Sequence, residues 1–250
     1  MAEIEIFPGR LELAQAAAEQ FIGLAARAVA SRGRFTVALA GGSTPRPVYS
    51  LLTTEAFAGR LDWSRVHIFW GDERCVSPDD PQSNYRMARE TLLDAVGVPP
   101  GNIHRIRGED DPRRAAAAYE QELREFFGHS AGFDLVLLGM GADGHTASLF
   151  PGLAAVTEGS RWVMAQYVEA VSMWRITLTP AAINAAENVT FIVSGADKAE
   201  RLREVLEGPS RPEALPAQAI KPISGRLLWL VDEAAAASLT RRREENQRGW

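Results

Sequence analysis

The chain has 250 residues, of which 46% are hydrophobic and 24% are charged, and its formal net charge at pH 7 is −5. This composition is typical of a globular protein with a sizeable core, and an acidic chain with dispersed lysines and arginines lacks the electrostatic footprint of a nucleic-acid-binding protein. The single cysteine, Cys75, excludes an intrachain disulfide and a cysteine-based zinc site, and no apolar run approaches the roughly 20 residues that cross a bilayer.

The first ten residues carry Glu3 and Glu5, and they resemble neither a signal peptide nor an arginine-rich transit peptide. Together with the single cysteine, this predicts a cytoplasmic protein without a membrane or nucleic-acid partner. Core and interface stripes look alike on amphipathic helices, so the sequence leaves the oligomeric state open. A monomer is the working expectation.

Short apolar runs alternate with longer amphipathic stretches along the chain. In chain order they predict a strand at 4–7, a helix at 11–30, a strand at 35–40, a helix at 45–57, a strand at 66–70, a helix at 84–96, a strand at 103–106, a helix at 112–127, strands at 133–138 and 172–178, a helix at 180–186, a strand at 189–193, a helix at 198–206 and a strand at 227–231. Continuously apolar strands separated by helices indicate a parallel sheet that is covered on both faces. We therefore expect one α/β domain over residues 1–250, with a mostly parallel, open, twisted sheet of Rossmann-like type and helices on both faces. Residues 241–250 are expected to form a charged tail.

Three loops that follow predicted strands concentrate glycine and polar residues, namely 41–46, 71–75 and 139–146. In open parallel sheets, ligands bind beyond the carboxyl ends of the strands. The three loops are therefore the predicted location of a functional site.

The first of these loops reads Gly-Gly-Ser-Thr-Pro between a predicted strand and a predicted helix. Glycines allow close backbone approach, and free amide groups at the start of a helix attract anions, phosphate above all. This places an anion site on Gly41, Gly42, Ser43 and Thr44, with Arg46 in solvent. A plain strand-to-helix turn with a Ser/Thr cap explains the same residues. The Walker A pattern is absent from the sequence, which disfavours nucleotide hydrolysis.

The second loop contains Asp72, Glu73 and Arg74 in succession. A solvated turn is one interpretation of three consecutive charges. The functional interpretation places Arg74 on a substrate phosphate, because a guanidinium matches phosphate geometry, and Asp72 in the reaction centre. Further along, Ser83 and Asn84 precede a predicted helix and are interpreted as its caps, with ligand contact as the alternative.

The third loop contains a Gly-x-Gly-x-x-Gly pattern, which is typical of dinucleotide sites when a full crossover helix follows. Here Pro151 and Gly152 end any following helix after little more than one turn, so the dinucleotide signal is weak. Asp143 and His145 are better explained as acid–base groups, since histidine titrates near neutral pH. A turn or capping role is the alternative for the histidine. We assign Gly141 to substrate binding in the same loop.

Taken together, residues 39–45, 71–74 and 139–151 resemble the motifs of the 6-phosphogluconolactonase family, in the family's order. Further similarity extends to 175–179 and 194–198, so the resemblance spans nearly the whole chain. It implies a fold like that of glucosamine-6-phosphate deaminase and hydrolysis of a phosphorylated sugar lactone in the oxidative pentose phosphate pathway, without a cofactor. It also implies that Arg175 and Lys198 hold phosphate.

The related glucosamine-6-phosphate deaminases and isomerases have a glutamate before the proline of the third motif, where this chain has Phe150. Their second motif has an aromatic residue after Asp-Glu, where this chain has Arg74. Both departures favour the lactonase. Activity of the deaminase or isomerase type, a nicotinamide-dependent dehydrogenase and a non-catalytic sugar-phosphate sensor are the alternative hypotheses.

For the lactonase hypothesis, we expect His145 to deprotonate the attacking water and to return the proton to the ring oxygen. Either Asp143 or Asp72 is expected to orient the imidazole, and backbone amides of a glycine-rich loop to receive the oxyanion. The four histidines are scattered, and no residue cluster has metal-ligand spacing, so we expect no metal. The groups expected to hold the phosphate are Gly42, Ser43, Thr44, Arg74, Arg175 and Lys198.

Overall fold

The structure is a computed structural model that describes residues 3–240, so the tail predicted at 241–250 lies outside the described residues. Within residues 3–240 the strands are β1 Glu3–Phe7, β2 Phe35–Leu39, β3 Val66–Trp70, β4 Asp72–Arg74, β5 Leu135–Leu138, β6 Val163–Val168, β7 Met173–Leu178, β8 Asn188–Val193 and β9 Arg226–Asp232. The α-helices in the same residues are α1 Arg10–Arg32, α2 Arg46–Leu52, α3 Glu55–Ala58, α4 Asn84–Ala88, α5 Asp94–Val96, α6 Pro112–Phe127, α7 Pro180–Ile183 and α8 Ala199–Glu207. Among these helices, none combines the length and the apolar character that a bilayer crossing requires.

A six-stranded sheet runs through the molecule in the order β1-β9-β8-β5-β2-β3, and all of its neighbouring strands are parallel. Every residue of β2 and β5 is buried. A strand that has helices on both faces needs apolar side chains on both, which explains why β5 is entirely apolar and β2 is apolar except for Thr36, whose hydroxyl donates to Asp134. The predicted fold class, an α/β fold with a mostly parallel sheet, is confirmed.

A second, three-stranded antiparallel sheet in the order β4-β7-β6 was not predicted. Residues 72–74, predicted as loop, form β4, and the predicted strand at 172–178 belongs to this sheet as β7. No strand was predicted at 163–168, where β6 lies. Because β4 is short and highly charged, its strand character comes from pairing with a distant segment, which local patterns do not reveal.

Three further predicted elements differ from the structure. The predicted strand at 103–106 is only an isolated bridge between Ile103 and Ile68, because the chain forms no continuous ladder there. The predicted helix at 45–57 is interrupted between α2 and α3, where Thr54 has an extended backbone. The predicted helix at 84–96 contains a π-helical turn at Arg89–Leu93.

The fold brings the three polar loops together at the carboxyl-terminal ends of the strands of the large sheet. They follow β2, β3 and β5, and β2 lies between the other two strands. Gly71 connects the two sheets, since its amide donates to Leu39 O at 2.9 Å and its carbonyl accepts from Leu178 N at 2.8 Å. The charged strand β4 therefore begins directly beside the end of β2.

Candidate active site

An open cavity of about 220 Å³ lies at the carboxyl ends of β2, β3 and β5. All three polar loops contribute to its wall. The predicted site residues that line it are Gly41, Gly42, Ser43, Thr44, Asp72, Arg74, Gly141, His145 and Lys198. Asp143 and Arg175, also predicted, are not among the lining residues, but Asp143 is hydrogen-bonded to His145 and Arg175 is paired with Arg74.

The third loop folds back on itself and presents His145. The amide of Gly141 donates to the carbonyl of His145 at 2.9 Å, and the amide of Gly144 donates to the carbonyl of Gly141 at 3.0 Å. Gly144 has a φ of +85°, a conformation that glycine adopts without strain. The glycine spacing noted in the sequence therefore serves this tight turn.

The imidazole of His145 lies between a carboxylate and an aromatic ring. Its Nδ1 atom is 2.6 Å from Oδ1 of Asp143, and the Phe150 ring stacks on it with centroids 4.2 Å apart. Burial raises the pKa of Asp143, but the hydrogen bonds and the charge of His145 outweigh it and lower that pKa to about 2. Asp143 is thus ionised at neutral pH. No hydrogen bond among residues 3–240 involves Nε2 of His145, which leaves that nitrogen for a ligand.

Gly141 packs directly against this pair. A Cβ atom at position 141 would lie 2.1 Å from Nδ1 of His145 and 2.7 Å from Oδ1 of Asp143. Such distances are far below van der Waals contact, so any side chain at this position displaces the imidazole or the carboxylate. The absence of a side chain at Gly141 is a requirement of the site.

Asp72 is only 6% exposed and is bound by side chains from two other segments. The hydroxyl of Ser148 donates to its Oδ2 at 2.5 Å, and Nδ2 of Asn84 donates to its Oδ1 at 3.1 Å. Ser83 and Asn84 were both predicted as caps, with ligand contact as the alternative; the helix cap is Ser83, whose Oγ accepts from Arg86 N at 3.1 Å, whereas Asn84 lines the cavity. The sequence contains no signal that pairs Asn84 or Ser148 with Asp72.

The carboxylate of Glu73 points away from the cavity and organises the start of α4. It accepts hydrogen bonds from the amides of Asn84 and Tyr85 at 2.7 and 2.8 Å, and from the Ser83 hydroxyl at 3.0 Å. Burial raises the pKa of Glu73 above its ordinary value, and the hydrogen bonds from the amides of Asn84 and Tyr85 only partly oppose this effect. Glu73 therefore fixes the position of Asn84, which lines the cavity.

Arg74 and Arg175 are directly opposite each other on β4 and β7. Arg74 lines the cavity, whereas Arg175 is 9% exposed and lies behind the wall. Burial lowers the pKa of Arg175, and the neighbouring charge of Arg74 acts in the same direction. The Nε atoms of both are buried without a hydrogen-bond partner among the described residues. The two paired arginines place two positive charges close together, beside the carboxylates of Asp72 and Glu73.

The loop after β2, residues 41–45, and Lys198 complete the cavity wall. Gly42 has a φ of +96°, so the turn after β2 requires a glycine there. A Cβ atom on Gly41 would lie 1.8 Å from Oδ1 of Asn84, so this loop and Asn84 pack without space for a side chain. The ammonium of Lys198 is 2.8 Å from the exposed Asp197 carboxylate. Arg46 is exposed and is not among the lining residues.

Residues 3–240 contain no group of three or more His, Cys, Asp and Glu side chains arranged to hold a metal ion. Cys75 lies outside the cavity wall, and burial raises the pKa of its thiol to about 11. The described residues that face the cavity are therefore suited to acid–base chemistry by His145 and to anion binding.

The chain is similar to known proteins in sequence and in structure. Residues 8–229 match the family described as "Glucosamine-6-phosphate isomerases/6-phosphogluconolactonase". A 6-phosphogluconolactonase from Synechocystis sp. is 45% identical over 218 residues, covering 85% of this chain and 88% of that protein. A 6-phosphogluconolactonase from Nostoc sp. is 42% identical over 242 residues, covering 95% of this chain and 98% of that protein.

Solved structures agree with these sequence matches. The 6-phosphogluconolactonase from Trypanosoma brucei has a TM-score of 0.86 at 30% identity, covering 96% of this chain and 99% of that one. A monomeric glucosamine-6-phosphate deaminase has a TM-score of 0.81 at 23% identity, which shows a shared fold alone. From the family match and the close relatives, we conclude that this chain belongs to the glucosamine-6-phosphate isomerase/6-phosphogluconolactonase family.

Proposed function

We propose that this chain hydrolyses 6-phospho-D-glucono-1,5-lactone to 6-phospho-D-gluconate, the second step of the oxidative pentose phosphate pathway. The observation that carries the proposal is that His145, paired with Asp143, lines the same cavity as Arg74 and the glycine-rich loop after β2. The site thus combines a general base with a phosphate site. We further propose a cytoplasmic enzyme formed by one domain over residues 1–250.

His145 acts as the general base. Its Nε2 atom takes a proton from a water molecule while the water oxygen bonds to C1 of the lactone, and the carbonyl oxygen becomes an oxyanion. When the oxyanion collapses, the bond between C1 and the ring oxygen breaks and the imidazolium gives its proton to that oxygen. One positioned base of this kind contributes roughly 10²–10⁴-fold to the rate.

Asp143 is the positioning residue for His145. Its ionised carboxylate, 2.6 Å from Nδ1, holds that nitrogen in the protonated tautomer and leaves Nε2 free to accept a proton. The same carboxylate stabilises the imidazolium that forms during the reaction. Asp72 does not share this task, because Nδ1 of His145 is bound to Asp143 and no hydrogen bond among the described residues joins Asp72 to the imidazole.

Asp72 instead positions the substrate. Each oxygen of the carboxylate accepts one hydrogen bond from the protein and keeps a lone pair for the cavity that Asp72 lines. The hydroxyl groups of the sugar ring are the matching donors. Asp72 therefore fixes the ring relative to the base, which converts binding energy into orientation of C1.

The phosphate occupies the part of the cavity formed by Arg74, Lys198 and the amides of Gly42, Ser43 and Thr44. Amide groups that precede α2 favour an anion. Arg175, behind Arg74, adds positive charge at short range. Because the phosphate is remote from C1, its binding energy positions the reacting carbon without taking part in the chemistry.

Glucosamine-6-phosphate deamination is the competing activity on this fold. Phe150 argues against it, since a phenyl ring that stacks on the imidazole carries no proton to transfer. Ammonia release from glucosamine 6-phosphate is the direct assay for this alternative.

The experiment that tests the proposal follows acid release from 6-phosphogluconolactone made in situ, with a no-enzyme blank because lactones hydrolyse spontaneously. Wild-type protein is compared with His145→Ala and with His129→Ala, which replaces an exposed histidine that does not line the cavity. We expect fast turnover in wild type and in His129→Ala, and a loss of roughly 10²–10⁴-fold in kcat for His145→Ala. Wild-type turnover equal to the blank contradicts the lactonase assignment, and undiminished kcat in His145→Ala removes this residue from the chemistry.

A further inference from the structure

Ser148 connects the third loop to every strand of the small antiparallel sheet. Its amide donates to Oγ1 of Thr177 on β7 at 3.2 Å, and its carbonyl accepts from Nε2 of Gln166 on β6 at 2.6 Å. Its hydroxyl donates to Oδ2 of Asp72 on β4 at 2.5 Å. Each of the polar atoms of this one residue is thus bound to a different strand.

All three contacts of Ser148 are buried, and the one with the Asp72 carboxylate is also charge-assisted. Ser148 is 1% exposed, and Thr177 and Gln166 are also buried. The distance between the Ser148 and Asp72 oxygens is that of a strong hydrogen bond from a hydroxyl to a carboxylate. Such a bond, shielded from water, holds the Asp72 carboxylate in one orientation.

The same residue restrains the loop that presents His145. Between the two lies Ala147, whose φ of +47° places a non-glycine residue in the left-handed region. A neighbouring hydrogen bond from Leu149 N to Thr146 O, at 2.8 Å, closes the turn around it. A conformation of this kind persists only where surrounding contacts impose it. The hydrogen bonds of the adjacent residue, Ser148, are contacts of this kind.

We propose that Ser148 is a positioning residue that sets the geometry between Asp72 and His145. Its hydroxyl orients the carboxylate that binds the sugar ring, while its main chain anchors the loop that carries the general base. The small sheet, through Asp72, Gln166 and Thr177, is the support for both. This inference rests on the proposed lactonase activity and on the substrate-orienting role of Asp72.

The test is a double-mutant cycle on the full chain, with Ser148→Ala, Asp72→Ala and the double variant assayed for kcat and KM on 6-phosphogluconolactone. Ser148→Ala removes the hydroxyl but keeps both main-chain contacts. We expect kcat to fall about ten- to a hundredfold, as for loss of a hydrogen bond to a charged group, with a smaller change in KM because the phosphate contacts remain. In the Asp72→Ala background, the Ser148→Ala substitution is expected to lower kcat less than about threefold, because no carboxylate is left to orient.

The matched control is Thr146→Val. Thr146 lies in the same loop and is also 1% exposed, but its hydroxyl donates to Gly139 O at 2.8 Å rather than to Asp72. If these hydroxyls have a purely structural role, kcat should fall by similar factors in Ser148→Ala and Thr146→Val. The proposal predicts a large fall in kcat in Ser148→Ala only. Thermal unfolding of each variant shows whether the protein assayed is folded.

If Ser148→Ala does not fold, Ser148→Cys provides the same comparison, since a thiol of similar size is only a weak donor. A folded Ser148 variant that keeps wild-type kcat, or losses that simply multiply in the double variant, overturns the proposal. Neither result affects the lactonase assignment, which fails only if wild-type turnover equals the blank.

Discussion

Oδ1 of Asp143 lies 2.6 Å from Nδ1 of His145 and 3.1 Å from the amide nitrogen of the same residue. One carboxylate oxygen therefore holds both the ring and the main chain of the proposed base. Because the two residues are separated by a single glycine with positive φ, the turn itself sets this distance.

Replacing Asp143 with asparagine is expected to lower kcat by about 10²–10⁴-fold, because a neutral amide neither fixes the tautomer of His145 nor stabilises its charged form. The measurement is lactone turnover with the spontaneous rate subtracted. Asp110→Asn, at an exposed aspartate outside the cavity wall, is the control and is expected to retain wild-type kcat. Equal kcat in the two variants contradicts the positioning role of Asp143.

Arg74→Ala is expected to weaken recognition of the substrate phosphate. Loss of a charged hydrogen-bonding partner predicts a fall in kcat/KM of about 10- to 100-fold on the phosphorylated lactone, with little change on unphosphorylated gluconolactone. The ratio of the two kcat/KM values is the quantity to measure. Arg46→Ala, which removes an exposed arginine outside the cavity wall, is expected to leave that ratio unchanged. An unchanged ratio in Arg74→Ala refutes the phosphate role.

Gly141→Ala is expected to abolish most of the activity while the protein still folds, because the new methyl group would occupy the position of the His145 ring nitrogen. A displacement of about 1 Å in a catalytic group can cost 10²-fold in rate. The control is Gly59→Ala, since a Cβ at Gly59 has open space around it. Full activity in a folded Gly141→Ala protein would show that the imidazole position is not critical.

The stability of the fold is expected to fall as the pH drops from about 6.5 to about 4, because burial, with the charges of His104 and Arg34, lowers the pKa of His67 to about 4. In this window the unfolded chain binds a proton on His67 that the folded chain does not bind, so acidification favours unfolding. Above about pH 6.5, His67 is neutral in both the folded and the unfolded chain, so its contribution to the free energy of unfolding no longer changes with pH. Thermal unfolding between pH 7 and pH 4 should show a shallower decline in Tm for His67→Gln than for wild type, and parallel curves would contradict this assignment.

The large sheet could be predicted from the sequence because its buried strands are mostly apolar segments, interrupted only by single polar residues such as Thr36, His67 and Thr190. The small sheet could not. Strand β4 is short and highly charged, and it becomes a strand only by pairing with β7, in which Arg74 is opposite Arg175. The adjacency of these two arginines follows from that pairing, which connects segments far apart in the chain.

The sequence by itself determined the family, the α/β class and the turn that brings Gly141, Asp143 and His145 together. Those three residues lie within one short glycine-rich segment, so local backbone geometry is enough to bring them into contact. Only the tertiary structure decided that Asp143, and not Asp72, is bound to His145, and that Ser148 and Asn84 hold Asp72. Ser148, Asn84 and Asp72 come from three separate segments of the chain. Their hydrogen bonds therefore depend on how the two sheets pack against each other, because contacts between distant segments are set by the positions of the elements and not by the spacing of residues along the chain.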